Sequence, residues 1–387
     1  MIAYYVILMY FLKNIIIKKT SKIIKKIEDI ILLIFLSFSY YMGTDWLAYR
    51  EIYNNIEDKN KFINTKIEMG YLLYNLLMKK IFRMDYTIFM GVTLFICAAI
   101  LLKELRERSV NKELATFIYL SLYLYNACIE PVVRQLIATT IIIYALKYID
   151  RQKIFRYLLF ILIASQFHKT AIIFLGLYFL DKLNLNLKNT IFFVIVSIVA
   201  IENIEVIFSL FSKLVPGLQK FEFYFTNTRY GQRSINLVQI IKRLIMSSMY
   251  IYIVFFAYDY YFQKKNYIKN AAILFCIILN LQYKLNILYR FQNYLSFFLA
   301  IVLSSVGYVK ILNKRKTSFQ TILPIIYLIF FSSIFYKSIT NSELNKFRYG
   351  NYKNYFIEIL KGNRLTEKKV YIYQEKVMKM IYEEDNK

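Results

Sequence analysis

The sequence is poor in the residue types on which many catalytic and metal-binding motifs depend. Its 387 residues include one histidine, three cysteines, three prolines and nine glycines. Cys97, Cys128 and Cys276 lie in or beside apolar segments and lack the spacing of metal ligands. No P-loop, dinucleotide fingerprint, HExxH motif or Cys/His cluster occurs in the sequence. We therefore expect no nucleotide hydrolysis, no metal and no cofactor.

Hydrophobic residues, by contrast, are abundant: they make up 58% of the chain, and the mean hydropathy is +0.41. A soluble domain of this composition would expose large apolar patches. Apolar blocks of roughly 15–25 residues alternate with short basic clusters, a pattern typical of polytopic helical membrane proteins. The net charge of +26 does not indicate nucleic acid, because the lysines flank the apolar blocks, where they meet anionic lipid.

The hydropathy pattern predicts an all-α fold with about 11–13 transmembrane helices. One transmembrane domain covers residues 1–340, and a polar C-terminal tail covers 341–387. The first apolar block lacks a cleavage site and is expected to be a retained helix rather than a signal peptide. The predicted apolar segments are 1–17, 29–43, 86–102, 114–129, 132–149, 157–167, 171–181, 189–203, 237–262, 268–283, 289–309 and 318–338.

Basic loops orient these helices, because lysine and arginine are retained on the cytoplasmic side. Clusters such as KKTSKIIKKIED and KELRERSVNK are therefore placed inside. Residues 43–85, 130–134, 168–170 and 204–236 then lie outside, although the last of these also carries several basic residues. Within the first outer segment, apolar positions recur at helical spacing over 68–83, which predicts an amphipathic helix in the outer interface.

Ionisable residues within or beside membrane segments are costly, so each is a candidate for function. The motif GTDWLAYREIY places Asp45, Trp46 and Tyr49 at the outer end of the second helix. Asp45 could orient a sugar hydroxyl or a basic side chain, with Trp46 as a stacking platform. A helix-capping aspartate within an aromatic belt explains the same residues equally well.

In the stretch EPVVRQLIATT, Pro131 separates two apolar runs, and Arg134 and Gln135 follow in the first turn or so of the next helix. A helix N-terminus favours anions, so an arginine there is unexpected. Its presence is explained if free backbone N–H groups and the guanidinium bind one phosphate together. The alternatives are an ion pair of Arg134 with Glu130 or contact with lipid headgroups.

The single histidine, His168, is followed by Lys169 in the middle of an apolar stretch, ASQFHKTA. A break in the helix at this point would place both residues in an outward-facing polar cavity, with Thr170 as the cap of the second arm. A histidine can exchange protons at ambient pH and can act as a general base. The alternative is an imidazole that a neighbouring helix satisfies.

Three further arginines lie on the predicted outer side. Arg290 opens a late helix at the junction of two apolar runs, and Arg229 and Arg233 lie in the long outer loop. Each could instead anchor to lipid headgroups. Several arginines and one histidine on the same side of a membrane suit an anionic lipid, such as a polyprenyl pyrophosphate.

Three motifs occur in the order found in the EpsG/Wzy-type polysaccharide polymerases, which this chain resembles over about residues 40–175. They are a Gly-x-Asp-x-x-x-Tyr motif, an Arg-Gln pair that opens a helix, and a Phe-His-(Lys/Pro)-(Ser/Thr)-Ala motif. Arg290 resembles an arginine that these proteins often carry late in the chain, and RYGNYKNYF resembles a weaker late feature. The matching positions are Asp45, Tyr49, Arg134, Gln135, Phe167, His168, Lys169 and Thr170.

The resemblance implies a polymerase that joins oligosaccharide repeat units carried on undecaprenyl pyrophosphate, at the outer face of the bacterial cytoplasmic membrane. It also implies a GT-C-like helical architecture and catalysis without a metal. Arginines would stabilise the leaving pyrophosphate, and a histidine or carboxylate would deprotonate the acceptor hydroxyl. Expected partners are the lipid-linked oligosaccharide and membrane lipids, with a flippase and a chain-length regulator as further candidates. We assign catalysis to His168, Arg134 and Asp45, and substrate binding to Arg290, Gln135, Lys169, Tyr49, Trp46, Arg229 and Arg233.

Three other functions remain open. A GT-C glycosyltransferase that uses a polyprenyl-phosphate sugar and a metal would usually carry paired acidic residues in the first outer loop, where Asp45 stands alone and Glu57 and Asp58 come later. A flippase of lipid-linked oligosaccharides would also need buried cations, but the two repeated halves expected of a transporter are not evident. A membrane O-acyltransferase would leave the Arg-Gln pair unexplained. The polymerase is therefore the favoured interpretation.

Overall fold

The computed structural model describes residues 2–16, 21–40, 42, 45–57, 67–203, 237–263, 265–282, 288–309, 316–363 and 366–385. Every secondary-structure element in these stretches is a helix, apart from an isolated bridge between Ser39 and Asn354. The described residues include four helices long and apolar enough to cross a membrane. The prediction of an all-α polytopic membrane protein is confirmed. Those four spans are Tyr86–Arg108, Val238–Phe262, Tyr289–Tyr308 and Ile322–Thr340.

The predicted apolar segments all overlap helices in the described residues, but several boundaries differ. The second helix begins at Lys22 rather than at residue 29, because the side chain of Ser21 accepts a hydrogen bond from Ile23 N and caps the helix. The α-helices are α1 Ile2–Ile16, α2 Lys22–Ser37, α3 Asp45–Asn54, α4 Met69–Lys80, α5 Tyr86–Arg108, α6 Lys112–Tyr119, α7 Tyr125–Ile129, α8 Val133–Asp150, α9 Ile154–Ser165, α10 Leu177–Leu180, α11 Leu187–Glu202, α12 Leu237–Ile253, α13 Tyr260–Phe262, α14 Asn266–Leu281, α15 Tyr289–Leu303, α16 Lys316–Thr340, α17 Glu343–Asn345, α18 Tyr355–Leu360 and α19 Glu367–Asp385.

The chain divides into two compact units. The first comprises Met1–Arg108, Lys112–Leu175 and Leu328–Lys387, and the second comprises Ser109–Asn111 and Gly176–Tyr327. In the first unit, α5 packs against α2 and α8, and α8 forms a hairpin with α9. In the second unit, α14 packs against α11, α12 and α15. The motif residues at positions 45–170 therefore belong to the first unit, whereas the late arginine belongs to the second.

Ion pairs gather at one end of the first unit. Helix α5 is capped at its start by Asp85, whose side chain accepts from Thr87 N at 2.8 Å. At its other end, Arg106 binds Asp29 through two hydrogen bonds of 2.7 and 2.9 Å. Arg108 binds Asp150, the last residue of α8, at 2.9 Å. The 18 residues of α8 span about 27 Å, so this ionic end lies far from the start of α8.

The segment predicted as a polar tail, 341–387, is helical over α17, α18 and α19, and residues before α18 pair with the end of α2. Tyr40 N donates to Lys353 O at 3.0 Å, and Tyr355 N donates to Phe38 O at 2.8 Å. Both bonds flank the bridge between Ser39 and Asn354. The C-terminal segment is thus part of the first unit's fold.

Candidate active site

A buried glutamate, Glu68, organises the polar residues near the start of α8. It immediately precedes α4 in an extended conformation, and its carboxylate does not cap its own helix. Instead, one carboxylate oxygen accepts from Nη1 of Arg134 at 2.5 Å and the other from the backbone N of Lys169 at 3.1 Å. The second oxygen also lies 3.6 Å from Nδ1 of His168, slightly beyond hydrogen-bond distance. Three elements of the first unit therefore meet at one carboxylate.

The charged neighbours hold Glu68 in its ionised form. Burial acts to raise the pKa of this carboxyl group, because a buried charge loses solvation. The His168 imidazole, the Arg134 guanidinium and backbone N–H groups act in the opposite direction and lower the pKa to about 2. Glu68 is therefore a carboxylate throughout the physiological pH range.

Arg134 is the second residue of α8, as the sequence predicts, but its partners are not the expected ones. Its Nε donates to the hydroxyl of Tyr49 at 3.1 Å, and its guanidinium carbon lies 5.7 Å from the centre of that ring. Burial raises the pKa of Tyr49, so its hydroxyl stays protonated. Tyr49 and Glu68 accept two of the five guanidinium N–H donors. Within the described residues the other donors have no acceptor, and 27% of the side chain is exposed.

The helix breaks at His168, as the motif suggests. Helix α9 ends at Ser165, and a 3₁₀ helix begins at Lys169 and runs to Gly176. Glu68 rather than Thr170 provides the side-chain acceptor for the first amide of this second arm. The imidazole is only 14% exposed, and within the described residues neither of its ring nitrogens has a hydrogen-bond partner. Both ring nitrogens are therefore available to a ligand or a proton.

Close packing brings α4 against the broken helix. A Cβ atom added to Gly70 would lie 2.7 Å from Cβ and 2.8 Å from the carbonyl oxygen of Gln166, both far inside contact distance. The ring of Phe167 packs edge-on against the ring of Tyr74 on α4, with ring centres 6.2 Å apart. Glycine at position 70 therefore lets Glu68 reach the backbone of Lys169.

The other predicted site residues take different places. Asp45 is half-buried in the first turn of α3, one turn before Tyr49. Trp46 is 1% exposed and packs edge-on against Tyr86 at 4.9 Å, so the structure places it in the core rather than on a surface where a sugar could stack. Gln135 is also buried.

Four predicted site residues are the remaining cations. Arg290 is the second residue of α15 and belongs to the second unit. The side chain of Lys169 is exposed, and its backbone N–H is the part that contacts Glu68. Arg229 and Arg233 lie outside the described residues.

A second carboxylate–arginine pair adjoins the first one along the chain. Glu130 does not bind Arg134, the alternative that its spacing allowed. It accepts instead from Nε of Arg348 at 2.6 Å and from the hydroxyl of Tyr349 at 2.8 Å. Glu68 was included only in the predicted amphipathic helix 68–83, and Arg348 only in the weak late motif RYGNYKNYF. The available signal was an acidic residue directly before an apolar helix in a polar outer segment.

Glu68, Arg134 and His168, here called the Glu68 cluster, bring a cation and an imidazole to one carboxylate. A guanidinium with unused donors can stabilise negative charge on a leaving group. An imidazole beside a carboxylate can accept a proton from a hydroxyl. The cluster lies at the start of α8, away from the ionic end of the unit.

One family model matches the chain: the EpsG family, over residues 27–355. This range contains Glu68, Arg134, His168 and Arg348. Neither the curated proteins nor the solved structures contain a match.

Proposed function

The chain belongs to the EpsG family, and on that premise we propose that it polymerises a bacterial surface polysaccharide. Its substrates are oligosaccharide repeat units linked to undecaprenyl pyrophosphate. The observation that carries the proposal is the convergence of Arg134, Glu68 and His168 at one end of a membrane-embedded unit. A cation for a pyrophosphate and a base for a sugar hydroxyl are the two groups that this transfer needs.

In the proposed reaction, a hydroxyl of one repeat unit attacks the anomeric carbon of another. The bond between that carbon and the pyrophosphate oxygen breaks, and its electron pair leaves with the lipid pyrophosphate. The unused N–H donors of Arg134 stabilise this developing charge, and the start of α8 contributes its positive dipole end. The hydroxyl proton passes to the imidazole of His168.

Glu68 faces the Nδ1 side of the imidazole at 3.6 Å. With Nδ1 directed toward the carboxylate, the proton of a neutral imidazole belongs on Nδ1, which leaves Nε2 as the acceptor. Glu68 then stabilises the imidazolium that forms. The hydroxyl of Tyr49 fixes the position of the Arg134 guanidinium. Asp45, one turn earlier on α3, positions the acceptor sugar.

We place the active site at the outer face of the cytoplasmic membrane. The ionic end of the first unit contains the start of the basic segment 103–113, which the positive-inside rule assigns to the cytoplasm. Arg134 begins the helix whose other end joins that cluster, about 27 Å away. This separation is close to the thickness of a bilayer's hydrocarbon core.

The proposal is tested with purified protein and synthetic repeat units on undecaprenyl pyrophosphate, in the presence of EDTA. We expect a ladder of polymers on a gel and release of lipid pyrophosphate. Loss of activity in EDTA with recovery on adding a divalent cation would identify the metal-dependent glycosyltransferase instead. Transfer of the lipid-linked unit across vesicle membranes without chain growth would identify a flippase.

A further inference from the structure

The turn that sets the position of Arg134 makes few hydrogen bonds within itself. It consists of Glu130, Pro131 and Val132 between α7 and α8. Proline has no N–H to donate, and Val132 makes no side-chain cap to α8. Arg134 is four positions after Glu130, so their Cα atoms lie at most about 14 Å apart. A shift of the turn therefore moves the guanidinium directly.

Glu130 is the turn's principal anchor. Only 3% of the residue is exposed, and a buried carboxylate requires partners that compensate its charge. Two nitrogens of Arg348 and the hydroxyl of Tyr349 all donate to the same oxygen, Oε2. These donors come from a segment 218 and 219 residues later in the chain.

The donor segment is itself held in place on both sides. The hydroxyl of Tyr125, on α7, donates to the carbonyl of Tyr349 at 3.0 Å. Further along, the ring of Tyr352 stacks on Phe35 at 4.2 Å, and its hydroxyl donates to the Phe35 carbonyl at 2.6 Å. The bridge to Ser39 follows. Arg348 therefore reaches Glu130 from a segment that these contacts hold in place. We call this segment, residues 346–355, the strap.

We propose that Arg348 is a positioning residue: through Glu130 it holds the 130–134 turn and thereby the guanidinium of Arg134. This inference rests on the proposed role of Arg134 in binding the lipid pyrophosphate. Arg348 acts on the reaction without touching the reacting atoms. The strap makes the C-terminal segment a component of the active site rather than an appendage.

The test uses the full-length protein and two variants of the Glu130–Arg348 ion pair, one that removes Arg348 alone and one that removes both charges. Arg348→Met leaves Glu130 buried without its cation, whereas Glu130→Leu combined with Arg348→Met removes both charges and leaves an apolar contact. A misplaced Arg134 should reduce the polymerisation rate about 10²-fold in the single variant. The double variant should recover most of this loss. The exposed ion pair of Lys103 with Glu107, outside the strap, supplies the control, since Lys103→Met should change the rate less than about twofold.

A second measurement reports the accessibility of the turn and does not depend on polymerisation activity. Val132→Cys introduces a half-exposed thiol into the turn, in a background whose buried native cysteines are replaced by alanine. Its labelling rate with an impermeant thiol reagent should change when Arg348→Met is added. The rate should return to its starting value in the combined Glu130→Leu variant.

The outcomes separate the alternatives. A rate loss in Arg348→Met that the double variant does not rescue, with unchanged labelling of the thiol at position 132, would show that Arg348 itself contacts substrate. Unchanged activity and labelling would show that the strap has no positioning role. If the unmodified protein forms no polymer, the proposed function fails, and the labelling rates still decide whether Arg348 holds the turn.

Discussion

Replacing Glu68 by glutamine tests the centre of the proposed site. Glutamine keeps the length of the side chain and one carbonyl oxygen, so the bond from Lys169 N can persist. What disappears is the negative charge between Arg134 and His168. We expect a folded protein with lower stability at neutral pH and a polymerisation rate reduced by about 10²-fold, because Arg134 loses its charged partner and shifts.

The stability loss follows from the pKa of Glu68. This pKa falls from an ordinary 4.5 to about 2 in the folded chain, which corresponds to about 3 kcal/mol in favour of the folded state. A carboxyl group whose pKa is lower in the folded chain stabilises the folded state fully at pH values above its unfolded pKa. This stabilisation is lost as the pH falls toward the folded pKa. The difference between the original protein and Glu68→Gln should therefore be constant from about pH 5.5 to 8.5 and shrink below about pH 4.5.

Thermal unfolding of both proteins in detergent, across this pH range, measures the difference. The matched control is Glu343→Gln, since Glu343 is 76% exposed and its ion pair with Lys346 should contribute little at any pH. A midpoint difference that vanishes already between about pH 7 and 5.5 would show that Glu68 takes up a proton there. The ion pair with Arg134 would then not have the strength that the structure indicates.

Three further substitutions test the neighbours of Glu68. Arg134→Lys should lower the polymerisation rate by at least about 10²-fold, because a point charge cannot reproduce the fork of N–H donors; near-normal chain lengths in cells would contradict this. His168→Ala should cost about 10²–10⁴-fold and leave single repeat units on lipid, and partial rescue by His168→Gln would reassign the imidazole to hydrogen bonding alone. Gly70→Ala should displace Gln166 and reduce the rate of purified protein, whereas Gly176→Ala, whose new Cβ meets nothing within 4 Å, should not; equal rates would show that the close approach is dispensable.

Hydropathy and charge clustering were sufficient for the fold class because membrane helices must bury their backbone polar groups and place basic residues at their ends. The helix break at His168 and the position of Arg134 in the first turn of α8 also follow from local sequence. Boundaries were less predictable where a side chain acts as a cap, as Ser21 does at the start of α2. The GT-C-like layout and the total number of spans remain predictions.

The partners of the site residues could not be predicted, because they depend on contacts between distant segments. Glu68 and Arg134 are 66 residues apart, and Glu130 and Arg348 are 218 apart. Local spacing allowed a pair between Glu130 and Arg134 as an alternative, and the fold assigns each a different partner. Trp46, predicted as a stacking platform for a sugar, is buried and packs against Tyr86, a contact between residues 40 positions apart that local sequence does not reveal.

The shared carboxylate of Glu68 links the two halves of the proposed chemistry. A guanidinium at a helix N-terminus opposes the helix dipole, so Arg134 needs a counter-charge while no phosphate is bound. Glu68 supplies it, and the same carboxylate faces the imidazole of His168. A phosphate that pairs with Arg134 would take over part of this counter-charge role, while the carboxylate stays 3.6 Å from the imidazole that the proposed reaction would charge. A glutamate outside the recognised motifs lies at the centre of the proposed site because one carboxylate faces both the candidate cation and the candidate base.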